Sequence, residues 1–94
     1  MILLGRDHIT SYSQQHPSAR TALGMWLVAA EAVSWSSQSE IINFYPLIKF
    51  TTPKIAHIYL SGVNCVITAQ LAFNSGIIII LGVNEFDSSQ IQGP

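Results

Sequence analysis

From Leu47 onward the chain is a series of β-branched and aromatic runs joined by connectors too short for anything but a reversal of direction. The runs "LIKFTT", "IAHIYL", "CVITAQLAF" and "IIIILGV" are divided by "TPK", "SGVN" and "NSG". Such side chains fit a pleated, half-buried surface, and the connectors hold the residues that turns favour. A parallel pair of strands needs a crossover of about a dozen residues or more. Neighbouring runs must therefore pair antiparallel, and the second half is expected to be a meander of three to four strands.

The first half has a different rhythm. Met1 to Leu4 reads as a short strand, and "RDHITSYSQQ", residues 6–15, has weak helical spacing with Ile9 and Tyr12 three apart. Pro17 suits the first turn of a helix, where its missing N–H would have no partner anyway. No further proline occurs up to Val33, so a helix is expected over residues 17–33. At about 100° per residue, Ala22, Leu23, Trp26, Ala30 and Val33 form one apolar face. Arg20, Gly24 and Glu31 make a narrow stripe, and Thr21, Met25, Val28 and Ala32 fill a flank that is polar only at the threonine. A surface helix keeps a wider charged side. This one is expected to be buried on more than one face, and a homodimer through helix 17–33 would supply the second cover. "SSQSE" at 36–40 offers a cap to a short helical turn through Ile41, Ile42 and Phe44 that stops at Pro46. The expected class is α+β: a short N-terminal strand, two helices and then an antiparallel sheet, with the helices on one face. Residues 1–94 contain no repeat or linker and make a single domain.

Charge limits the choice of partner. Charged residues are 10% of the chain, against about a quarter in ordinary globular sequences, while hydrophobic residues reach 49%. Arg6, Arg20, Lys49 and Lys54 stand against Asp7, Glu31, Glu40, Glu85 and Asp87, for a formal charge of −1. No long-range field draws in a polyanion, so RNA contact must rest on a local site. The apolar excess points to surface covered by a partner or a second copy. Cys65 is the one cysteine; it excludes an intrachain disulfide, and its neighbours Val63, Val66 and Ile67 mark it as a small core residue. Met1 to Leu4 is followed by "GRDH" and lacks the longer apolar stretch of a signal peptide. Residues 65–83 are apolar on average, but Thr68, Gln70 and "NSG" divide them into two strands. No membrane span is expected, and the location expected is the cytoplasm.

Several landmarks occur together. They are "HP" at 16–17, "TAL" at 21–23 followed by Trp26, "AVSW" ending at Trp35, "YP" at 45–46, "SG" at 61–62 and "GIIII" opening at Gly76. In identity and ungapped spacing over about the first 80 residues, the chain resembles the HigB branch of the RelE-like toxins of bacterial type II toxin–antitoxin pairs. The resemblance implies a RelE-like fold, a helix-turn-helix antitoxin as partner and cleavage of mRNA on the ribosome. No His or Asp cluster in the sequence suggests a metal, and no cofactor is expected. In the family, basic residues on the sheet and a His and Tyr in a C-terminal "H-x-E-Y-D"-like stretch carry the chemistry. This chain has Val66 where the family has an arginine past the "G-N" turn, and Leu81 where the next strand ends in a basic residue. A short deletion aligns Glu85, Phe86 and Asp87 with "E-Y-D", which puts Phe86 at the tyrosine and Val83 at the histidine.

Attack by a 2′-hydroxyl needs a base, donors or cations for the charged phosphate, and an acid for the leaving oxygen. The residues available are His57 as base, Tyr59 as donor, and Lys54 or Lys49 as phosphate contacts, with Asp87 at the terminal motif. Strand alternation puts His57 and Tyr59 on one face with Ile55. The same two residues also suit an ordinary half-buried sheet position. His16 reads as a cap or packing residue, His8 as solvated, and Glu85 and Asp87 as polar residues closing the last strand. Two functions stay open: a working HigB-like nuclease built around Lys54, His57 and Tyr59, or a relative that keeps the scaffold and partner surfaces without cutting RNA.

Overall fold

A computed structural model describes residues 1–33, 35, 37–44, 47–60 and 62–86. Of the positions singled out above, Ser34, Ser36, Tyr45, Pro46, Ser61 and Asp87 lie outside the described residues. The order is β1 (Ile2–Leu4), α1 (Arg6–Gln15), a 3₁₀ turn (Pro17–Ala19), α2 (Arg20–Ala32), α3 (Gln38–Phe44), β2 (Ile48–Phe50), β3 (Ile55–Leu60), β4 (Cys65–Ala72) and β5 (Ile77–Glu85). The strands form one sheet in the order β1-β5-β4-β3-β2.

The α+β class and the antiparallel meander β2 to β5 stand as the sequence predicts. Two details differ. Among the described residues the sheet has five strands and is mixed, because β1 runs parallel to β5 with Ile2 beside Ile77 and Leu4 beside Ile79. This pairing joins segments more than 70 residues apart and leaves no trace in local spacing. It is held by Ile2 N–H donating to Gly76 O at 2.8 Å and by burial of Leu3 beside Ile78. The expected helix 17–33 begins as the 3₁₀ turn, and the α-helix starts only at Arg20. Pro17 supplies the fixed φ that suits this entry.

The core lies between the helices and one face of the sheet. Ile58, Ile67, Leu71, Ile78 and Ile80 point into it from the strands, and Ile9, Leu23, Trp26 and Ala30 meet them from the helices. Each fully buried Leu or Ile contributes about 1.5–3 kcal/mol relative to an exposed one. α1 is polar and buries only Ile9 and Tyr12. Gly5 joins β1 to α1 at φ 80°, with its Cα against the carbonyl of Ile80. A Cβ there would collide with that oxygen, so only glycine lets the chain turn so close to the sheet.

One chain covers a single face of α2. Leu23, Trp26 and Ala30 are buried as the periodicity implies, but Met25 and Val28 remain 68% and 70% exposed. No helix among the described residues is long and apolar enough to cross a membrane.

Strand β5 contains a bulge that positions the site. Thr68 pairs with Gly82 and Ala69 with Ile80, so Leu81 is an extra residue on β5. Before the bulge, Ile78 and Ile80 face the core; after it, Val83 beside Ile67 and Glu85 beside Cys65 take that side. A single inserted residue exchanges the two faces of a strand.

Candidate functional site

Among the described residues, two clusters bring polar side chains together. The first lies on the sheet face away from the helices. Register places Lys49 directly across from His57, and Thr68 across from His57 on its other side. His57 Nδ1 is 3.1 Å from Thr68 Oγ1 and Nε2 is 3.4 Å from Thr51 Oγ1. Each hydroxyl can donate or accept, so both ring nitrogens have a partner in either tautomer. Tyr59, two positions along β3, sits across from Val66 and packs edge-on against Phe86, with ring centroids 5.1 Å apart at 84°. His57, Tyr59 and Lys49 are thus brought to one face.

Lys54 is not brought to them. It lies on the turn before β3, where its amide N–H donates to Thr52 Oγ1 at 3.2 Å and its carbonyl accepts from Leu71 N–H at 2.7 Å. Its exposed ammonium has no side-chain partner among the described residues. The rest of the open face is largely apolar. Ile2, Leu4 and Leu81 are 61%, 48% and 45% exposed, and Val66 lies between Tyr59 and Asn84.

The second cluster is at the end of the sheet, in a cleft lined by Tyr12, His16, Ser18, Asn64, Glu85 and Phe86. His16 Nε2 donates to Glu85 Oε1 at 2.6 Å, and its ring stacks on Tyr12 at 4.1 Å. The backbone N–H of His16 also closes α1 on Tyr12 O at 2.8 Å. Burial, with smaller contributions from Cys65 and Glu85, raises the Tyr12 phenol above its usual pKa. Asn64 holds a left-handed φ of 52° at the rim, and its carbonyl accepts from Phe86 N–H at 3.0 Å.

The sequence places His16 as a cap or packing residue, and it is both; its pairing with Glu85, 69 positions away, was not visible there. Glu85 closes β5, as the sequence predicts, and faces the helices because of the Leu81 bulge. Gly82 within an otherwise bulky apolar run was the available signal, since glycine inside a strand often marks a bulge. His8 is exposed on α1. No group of three or more His, Cys, Asp or Glu side chains suited to a metal occurs among the described residues. No protein-family model matches the chain, and no curated protein matches it significantly.

Proposed function

We propose that this is a HigB-like protein of the RelE-like toxin superfamily that keeps the scaffold and its partner-binding role but no longer cleaves mRNA. One observation carries this: the face that would have to hold RNA offers a single lysine, Lys49, beside His57, and is otherwise largely apolar through Ile2, Leu4, Val66 and Leu81. A general acid or base contributes about 10²–10⁴-fold to such a reaction, and a donor to developing charge a comparable factor. Val66, Leu81, Val83 and Phe86 occupy the positions where the family's arginine, basic residue, histidine and tyrosine would stand. Exposed apolar area suits a protein surface better than a phosphate backbone, whose binding rests on cations. The partner is a helix-turn-helix antitoxin, and the compartment is the cytoplasm.

The register of Lys49 with His57 favours a second reading, an active nuclease. There His57 would take the 2′-hydroxyl proton, Tyr59 would donate to the phosphate, Lys49 would contact it, and Asp87 would complete the terminal motif; Lys54, on the turn before β3, would reach only a neighbouring phosphate. Expression without a partner separates the two. A non-cleaving protein leaves growth and translated mRNA intact yet binds a helix-turn-helix protein encoded beside it. Growth arrest with mRNA cleavage, both abolished by His57→Ala, would establish the nuclease instead.

A further inference from the structure

We propose that the exposed flank of α2 is a self-association surface, on which a second copy of the chain packs antiparallel about a two-fold axis. The flank consists of Thr21, Gly24, Met25, Val28, Ala29 and Ala32, and forms an apolar groove. Met25 and Val28, at its centre, are 68% and 70% exposed. Exposed apolar residues on this scale, contiguous on one helix, are an association surface rather than scattered surface hydrophobes.

The order of these residues selects the occupant. A two-fold interface must be self-complementary, so each position has to suit the position it meets on the other copy. Antiparallel pairing about the midpoint of Met25 and Val28 sets Met25 against Val28, Gly24 against Ala29 and Thr21 against Ala32. Bulky residues meet at the centre, and small ones on either side let the backbones approach. Parallel pairing would set Met25 against Met25 and Gly24 against Gly24, leaving alternating crowding and gaps.

Charge agrees with the same register. Arg20 and Glu31 are eleven residues apart, which on a helix puts them on one flank of the groove at opposite ends. A two-fold axis across the pair preserves that flank, so Arg20 of each copy lies beside Glu31 of the other. Glu31 also holds Arg6 of its own chain at 3.0 Å, while Arg20 has no carboxylate partner among the described residues. Arg20 also falls near the negative end of the partner helix. A foreign helix would have to supply this pattern; a second copy already has it. α2 spans 13 residues, about 20 Å. One helix pair of that length buries less than the roughly 1,200 Å² of standard stable interfaces, so the dimer is weak, with a Kd of about 10–100 µM.

Sedimentation equilibrium of the full chain, from about 1 to about 500 µM to bracket that Kd, reads the association directly. The expected result is a monomer–dimer equilibrium that Val28→Glu abolishes and Arg20→Glu weakens about tenfold or more, with circular dichroism unchanged because both sites are exposed. Met25→Lys repeats the groove test independently. Orientation is read by cross-linking. A Met25→Cys chain mixed with a Val28→Cys chain should form a disulfide faster than either variant does alone, and the buried Cys65 should take no part. A monomer at every concentration, a dimer indifferent to both groove variants, or Met25→Cys linking fastest to itself would each overturn the proposal. Capture of a helix-turn-helix protein is a separate measurement, so failure here leaves the proposed partner role untouched.

Discussion

His57 has both ring nitrogens engaged by threonine hydroxyls, at 3.1 and 3.4 Å, in a sheet position that its β-strand neighbours would suit equally well. The half-buried role and a catalytic role coincide at this residue, and the strand periodicity that paired it with Tyr59 is compatible with either. Cys65 is simpler: it is fully buried, and desolvation of its thiolate pushes the thiol from an ordinary 9.0 to about 11. Because the folded protein favours the protonated thiol, that stabilisation is complete below pH 9 and is lost as pH rises through about 11. Tyr12, also raised by burial, acts with the same sign at the alkaline end. The urea midpoint should therefore fall from pH 9 to 11, and Cys65→Ala should flatten that part of the profile. A wild-type midpoint that holds level across the window would contradict the burial of the thiolate. The valine and isoleucine neighbours of Cys65 foretold its place in the core, because buried small residues sit in apolar runs.

Strand β5 shows how one residue governs an element. Leu81, inserted between the pairs Thr68–Gly82 and Ala69–Ile80, turns Val83 and Glu85 toward the helices and leaves Gly82 and Asn84 on the open side. Only in that phase can Glu85 meet His16. The hydrogen bond itself is exposed enough to contribute at most about 1 kcal/mol, so the bulge matters more than the bond. Deleting Leu81 should exchange the faces, exposing Val83 and driving Asn84 toward the core without a partner. The expected cost is roughly 3 kcal/mol or more, read as a lower denaturation midpoint together with loss of the His16–Glu85 contact in NMR spectra. A deletion variant of unchanged stability would mean that β5 tolerates either phase. The run "IIIILGV" announced a buried strand, but four isoleucines in succession do not say which face each one takes. Helix α2 shows the converse. Its periodicity located Leu23, Trp26 and Ala30 correctly, while cover for Met25 and Val28 is absent within a single chain.

At the scale of the whole molecule, a net charge of −1 gives RNA no long-range attraction, and Lys49 and Lys54 are the cations on the sheet half. Two phosphate contacts would give a salt slope of only about −1.4 on a single strand, with a Kd weaker than about 100 µM at physiological salt. Fluorescence anisotropy with a labelled single-stranded RNA checks this; submicromolar binding with a steep salt dependence would restore the nuclease. The sequence by itself determined the α+β class, the antiparallel order of β2 to β5, the buried side of α2 and the shortage of cations. Each of these rests on interactions between near neighbours, or on a sum over the chain, and both are present in a linear string. Only the tertiary structure decided that β1 joins β5 in parallel, that Leu81 rephases the last strand, that Lys54 stands apart from His57, and that His16 reaches Glu85. Those outcomes depend on which distant segments share the burial of one core. That choice is made by packing across the whole sheet, where a shift of one residue reverses what every later side chain meets.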